Sequence, residues 1–120
     1  MIGEKEYFYV INQEYKQNSS YISLKVSLKG FKNSSCTFLI CTWDDPIMGS
    51  PLLVGVDLKN KQTNITERYN LHYPRTIRSF ILYGLENGWT GENNIVFQDG
   101  LYIISVMGYD VSWLKSGGVF

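Results

Sequence analysis

The stretch Tyr21-Ile22-Ser23-Leu24-Lys25-Val26-Ser27-Leu28-Lys29 alternates apolar and polar side chains. Successive side chains of a strand point to opposite faces, so this period of two predicts a β-strand. Its buried face would carry Ile22, Leu24, Val26 and Leu28, and its wet face Ser23, Lys25, Ser27 and Lys29. A one-sided strand of this kind belongs to a sheet with one covered and one open face, so something must lie across the apolar side.

Working outward, Gly30 and Asn33-Ser34-Ser35 supply a turn. Residues 36–43, Cys-Thr-Phe-Leu-Ile-Cys-Thr-Trp, are apolar on both faces and predict a central strand. Asp44-Asp45-Pro46 ends it, because proline cannot donate to a sheet ladder. Upstream, residues 5–11 form a first strand and the polar residues 12–20 a loop. Residues 52–58, Leu-Leu-Val-Gly-Val-Asp-Leu, predict a fourth strand with a bulge at Gly55, and Asn64–Tyr69 a short edge strand.

The cover is residues 74–87. Pro74 suits the first helical position, where its missing N–H costs nothing. Ile77, Ile81, Gly84 and Leu85 share one stripe with Phe80 on its flank, and Asn87-Gly88 is a stop signal. Trp89 is expected to pack back against the helix end. Asp99-Gly100 between apolar residues 95–98 and 101–107 predicts a hairpin, and Tyr109, Val111 and Trp113 one more strand. The expected fold is α+β: a single antiparallel sheet of five to seven strands, with one helix over 74–87 packed on one face. Residues 1–120 are read as one domain.

Composition agrees. The 120 residues include no alanine, 9 Tyr and 15% aromatic side chains, which favours strands over a helical bundle. Net charge is zero, so the electrostatic footprint of a nucleic-acid binder is missing. Neutrality conceals segregation. Residues 59–78 hold Lys59, Lys61, Arg68, Arg75 and Arg78 against Glu67, whereas residues 86–110 hold Glu86, Glu92, Asp99 and Asp110 without lysine or arginine. Cys36 and Cys41 lie an odd number of strand steps apart, on opposite faces, so no bridge between them is expected. A reducing, cytoplasmic setting follows from that and from the absence of a signal-like or membrane-spanning apolar run. The abundance of Asn, Ile, Lys, Tyr and Phe points to an AT-rich, bacterial or phage genome.

Pro74-Arg75-Thr76-Ile77 through Ile81-Leu82, Gly88-Trp89-Thr90 and Ile95-Val96-Phe97 together carry a pattern. It resembles small uncharacterised bacterial proteins in which a helix opens near proline, ends in Gly-Trp and leads into a strand with phenylalanine. Thr90 and Gly91 stand where proline often follows in that group. The resemblance covers residues 74–97 and implies the α+β arrangement without an activity.

No nucleophile-elbow, zinc-protease, phosphate-loop or dinucleotide signature occurs, and no cofactor is indicated. His72, Cys36 and Cys41 do not make a zinc set, since the cysteines face opposite ways. Three sets of residues remain as candidates. His72, Arg75 and Arg78 flank the start of the 74–87 helix, where free N–H groups favour an anion; the plainer reading is solvated arginines and a loop histidine. Trp43, Asp44 and Asp45 end a strand and place two carboxylates together; a turn cap is the simpler role. Tyr7, Tyr9, Tyr21, Phe31, Tyr102, Tyr109 and Trp113 would form either an exposed interface patch or the filling of a core without alanine.

The leading expectation is a non-enzymatic bacterial protein that binds another protein, such as a toxin-neutralising immunity protein or an accessory factor. The alternative is a small anion- or nucleotide-binding protein using the start of the 74–87 helix, and the third an enzyme with an unfamiliar site. Homodimerisation through an edge strand or the aromatic face is a further expectation.

Overall fold

The computed structural model describes residues 5–17, 19–31, 33–43 and 49–115. Among the described residues the architecture is α+β, with a mixed four-stranded sheet, a separate two-stranded sheet and three helices. The expected single antiparallel sheet of five to seven strands is therefore corrected. β1 (Tyr7–Lys16), β2 (Ser19–Leu28) and β3 (Ser35–Trp43) form an antiparallel meander. After α1 (Pro51–Val54), β4 (Val56–Lys59) and β5 (Thr66–Tyr69) pair only with each other. α2 (Pro74–Glu86) follows, then β6 (Ile95–Phe97), which lies parallel to β3. α3 (Gly100–Val106) and a 3-10 turn (Ser112–Leu114) complete the described chain. The main sheet runs β1-β2-β3-β6.

The alternation in β2 is obeyed: Ile22, Leu24, Val26 and Leu28 are buried. The first three face partners on the same side of β3, with Ile22 opposite Ile40, Leu24 opposite Phe38 and Val26 opposite Cys36. β3 lies in the interior of the sheet, as its two-sided apolarity predicts.

α2 spans its expected range within one residue and packs Ile77, Phe80 and Ile81 inward. Phe80 meets Phe38 edge-on at 4.9 Å, and Phe97 stacks on the same ring at 5.1 Å. Gly84 permits the close approach of helix to sheet, since a Cβ there would sit 2.9 Å from Cys36 Sγ. Gly88 takes a φ of +114°, and Trp89 N–H donates to the Gly84 carbonyl at 2.9 Å, folding the buried indole against the helix end.

Four elements differ from their sequence expectation. In the segment 12–20, expected as a loop, residues 12–16 and 19–20 instead continue a long hairpin. β1 is an edge strand exposed on both faces for much of its length, so no alternation was imposed on it. Residues 52–58 split at Gly55, whose φ of 103° turns the helical Pro51–Val54 into β4. In place of the strand expected over 101–107, Gly100–Val106 forms a helix, because the Asp99 side chain accepts from Tyr102 N at 3.1 Å as an N-cap. Gly100 serves close contact instead of a hairpin turn: a Cβ there would collide with Ile40. The last expected strand is reduced to a bridge between Tyr109 and Asn60 followed by the 3-10 turn.

Cys36 is buried and Cys41 is half-buried, and no disulfide joins them. Among the described residues no helix is long and apolar enough to cross a membrane, and no group of His, Cys, Asp and Glu is arranged for a metal ion.

Candidate functional site

β1 is the most exposed apolar element of the sheet. Phe8 is 53% exposed, Tyr9 44%, Val10 55% and Tyr15 53%. Register assigns their faces. Tyr7, Tyr9, Ile11, Gln13 and Tyr15 stand opposite Leu28, Val26, Leu24, Ile22 and Ser20, so they share the helix-covered face. Phe8, Val10, Asn12, Glu14 and Lys16 share the open face with Ser27, Lys25 and Ser23.

The backbone direction also follows from register. Lys29 N–H donates to the Glu6 carbonyl at 2.9 Å, so Glu6 and Lys29 form a hydrogen-bonded pair. Such pairs alternate in an antiparallel ladder, so Phe8, Val10, Asn12, Glu14 and Lys16 direct their backbone groups to β2. The backbone N–H and C=O of Tyr9 and Ile11 therefore point outward from the sheet edge. Among the described strands none pairs on that side of β1. Two residues separate β1 from β2, and Gln17 has a φ of 53°, which suits the tight turns matched to strand twist. An edge of this length with rings on both faces is a template for pairing with another extended segment.

The aromatic residues singled out by sequence do not make one patch. Tyr9, Phe31, Tyr102 and Trp113 are exposed, but Tyr7 rests on Trp89 at 5.8 Å and Tyr109 on Tyr69 at 5.2 Å. Phe8 and Tyr15, absent from that set, belong to the edge. The signal for them was the pair of apolar residues, Phe8 and Val10, two apart on a strand whose opposite face is also apolar.

At the start of α2 the structure separates the expected trio. His72 is an exposed loop residue whose N–H donates to Asn70 Oδ1 at 2.8 Å. Arg78 is exposed along the helix, away from the neighbouring cavity. Arg75 lines that cavity, of about 170 Å³, together with Arg68, Tyr69, Thr76, Ser79 and Tyr109. Its Nη2 donates to the Arg68 carbonyl at 2.9 Å and its guanidinium lies 5.0 Å over the Tyr73 ring. The helix-end amides of Thr76 and Ile77 both donate to the Tyr73 carbonyl, so the cavity relies on side chains. Tyr109 donates to Glu67 Oε1 at 3.2 Å. Burial, then the Glu67 carboxylate, raises the Tyr109 pKa, and the Arg75 charge opposes that rise.

Trp43 is half-buried; its indole N–H donates to the Trp113 carbonyl at 2.7 Å, with the two rings 6.0 Å apart. Asp44 and Asp45 lie outside the described residues. Burial pushes the Cys36 thiol up to about 12, leaving it protonated and poorly nucleophilic at neutral pH. No family model matches the chain, and no curated protein or solved structure matches it.

Proposed function

We propose that this protein is a non-enzymatic binding module that engages an extended segment of another protein along the β1 edge. The observation that carries this reading is β1 itself: ten residues long, at the edge of the sheet, with Phe8 and Val10 exposed on one face and Tyr9 and Tyr15 on the other. The outward backbone groups of Tyr9 and Ile11 would supply main-chain hydrogen bonds, and the flanking rings would cover the added strand. Lys5, Glu6, Glu14 and Lys16 bracket the apolar centre with both signs of charge, so a partner with an apolar middle and mixed charged ends fits best.

The test is photo-crosslinking in the native host from a benzophenone amino acid at position 8, with position 82 on the exposed side of α2 as control. A discrete protein adduct from position 8, lost when Tyr9→Pro removes an outward donor, is expected. Adducts only with a second copy would replace the heterologous partner by a homodimer. Equal, diffuse labelling from both positions would contradict the reading.

A further inference from the structure

The β1 edge suits a strand with an apolar middle and charged ends of both signs, and β1 is itself such a strand. Tyr7 to Ile11 are aromatic or β-branched, with Glu6 before them and Lys16 after. The edge is also unguarded. Native sheets blunt an outer strand with a proline, a bulge or an inward charge. β1 has no proline, pairs with β2 without a slip from Tyr7 to Lys16, and holds no residue at positive φ. The zero net charge of the chain leaves no long-range repulsion between copies.

Backbone parity restricts how two copies can meet. The outward groups belong to the odd-numbered residues Tyr7 to Tyr15, because the even-numbered ones bond to β2. Two identical edges therefore hydrogen-bond antiparallel only when odd faces odd, which puts the two-fold axis through a residue. Charge then chooses the axis. Through Val10, Glu6 would face Glu14 of the second copy, and like charges would meet twice. Through Asn12, Glu14 would face Val10 and Lys16 would face Phe8, so no charge of β1 would meet its opposite. Through Ile11, Glu6 faces Lys16 of the second copy at both ends, Tyr7 faces Tyr15, and the strand overlaps over almost its whole length. Glu6 is held on the open face by Lys29 at 3.0 Å, and Lys16 shares that face. Their pairing across the axis would be of the non-hydrogen-bonded kind, in which side chains come closest.

We propose that a second copy of this chain occupies the β1 edge when no partner strand does, antiparallel and with the two-fold axis through Ile11. The proposal rests on the open edge described above and adds a control on it. The two four-stranded sheets join into one, and the backbone groups a partner would use are withheld.

Sedimentation velocity across a range of protein concentrations tests this. The parent should show a reversible monomer–dimer equilibrium. Lys16→Glu alone, or Glu6→Lys alone, places like charges at both contacts and should weaken dimerisation at least about tenfold. Mixed in equal amounts, the two variants regain opposite charges at both contacts and should form a heterodimer as tight as the parent dimer. Lys59→Glu and Glu86→Lys make the same changes of charge away from the edge, and each alone should dimerise as the parent does. In the parent, the N–H groups of Tyr9 and Ile11 should gain exchange protection as concentration rises. A single monomeric species up to about 1 mM parent protein would overturn the proposal. So would a dimer that neither edge variant weakens, or a loss that mixing does not restore. The crosslink from position 8 is read separately. A heterologous adduct from a chain that stays monomeric removes only the dimer, and a dimer without such an adduct removes only the heterologous partner.

Discussion

Gly100 and Cys36 show how much single positions decide. A Cβ at Gly100 would collide with Ile40, on the β3 strand against which α3 packs. Gly100→Ala should therefore destabilise by about 1–3 kcal/mol, the usual cost of overpacking, measurable by urea denaturation. At Asp99, whose carboxylate caps α3 by accepting from Tyr102 N, Asp99→Ala should cost about 1 kcal/mol in the same assay. Cys36, buried beneath Gly84 with its thiol pushed up to about 12, should resist iodoacetamide at pH 8 until the chain unfolds, as peptide mass mapping would show.

At the scale of elements, α2 and β2 were legible because each is half-buried and has one period to obey. Ile77, Phe80 and Ile81 keep the helical stripe, and Ile22 through Leu28 keep the strand alternation. The sequence marks only residues 5–11 as a strand because Asn12 to Lys16 are exposed on both faces, and solvent exerts no selection for alternation there. Residues 101–107 misled for another reason. Leu101, Ile103 and Ile104 are all buried, and a short apolar run has no period that tells helix from strand; the capping bond of Asp99 decides it. Of the candidate sites, the basic character around Arg68 and Arg75 is visible as charge segregation. Tyr69 is not singled out, and Tyr109 is read only as one of the aromatic residues, because the meeting of Tyr109 with Arg75 depends on a fold-back between segments far apart in sequence. Because α2 has no alanine and draws its stability from packing, Phe80→Ala should lose about 3–5 kcal/mol in denaturant titrations.

At the scale of the molecule, the two layers are unequal. α2 and α3 pack against one side of the main sheet, and among the described residues the β1 edge is left toward solvent. The buried thiol and phenol also set an alkaline limit. Cys36 has an ordinary pKa of 9.0, raised by burial to about 12, and Tyr69 is raised from 10.0 in the same direction. The unfolded chain releases these protons first as pH rises. Stability from these groups is thus complete below about pH 9 and falls progressively toward pH 12, which melting curves across that range would record. The binding role assigned to β1 rests on its outer edge being open along Tyr9 and Ile11. Residue-resolved amide exchange on the dilute protein tests that most directly. The N–H groups of Val10 and Asn12, bonded to β2, should exchange slowly, and those of Tyr9 and Ile11 fast. Equal protection at all four positions would mean that the edge is already covered, and would contradict the account.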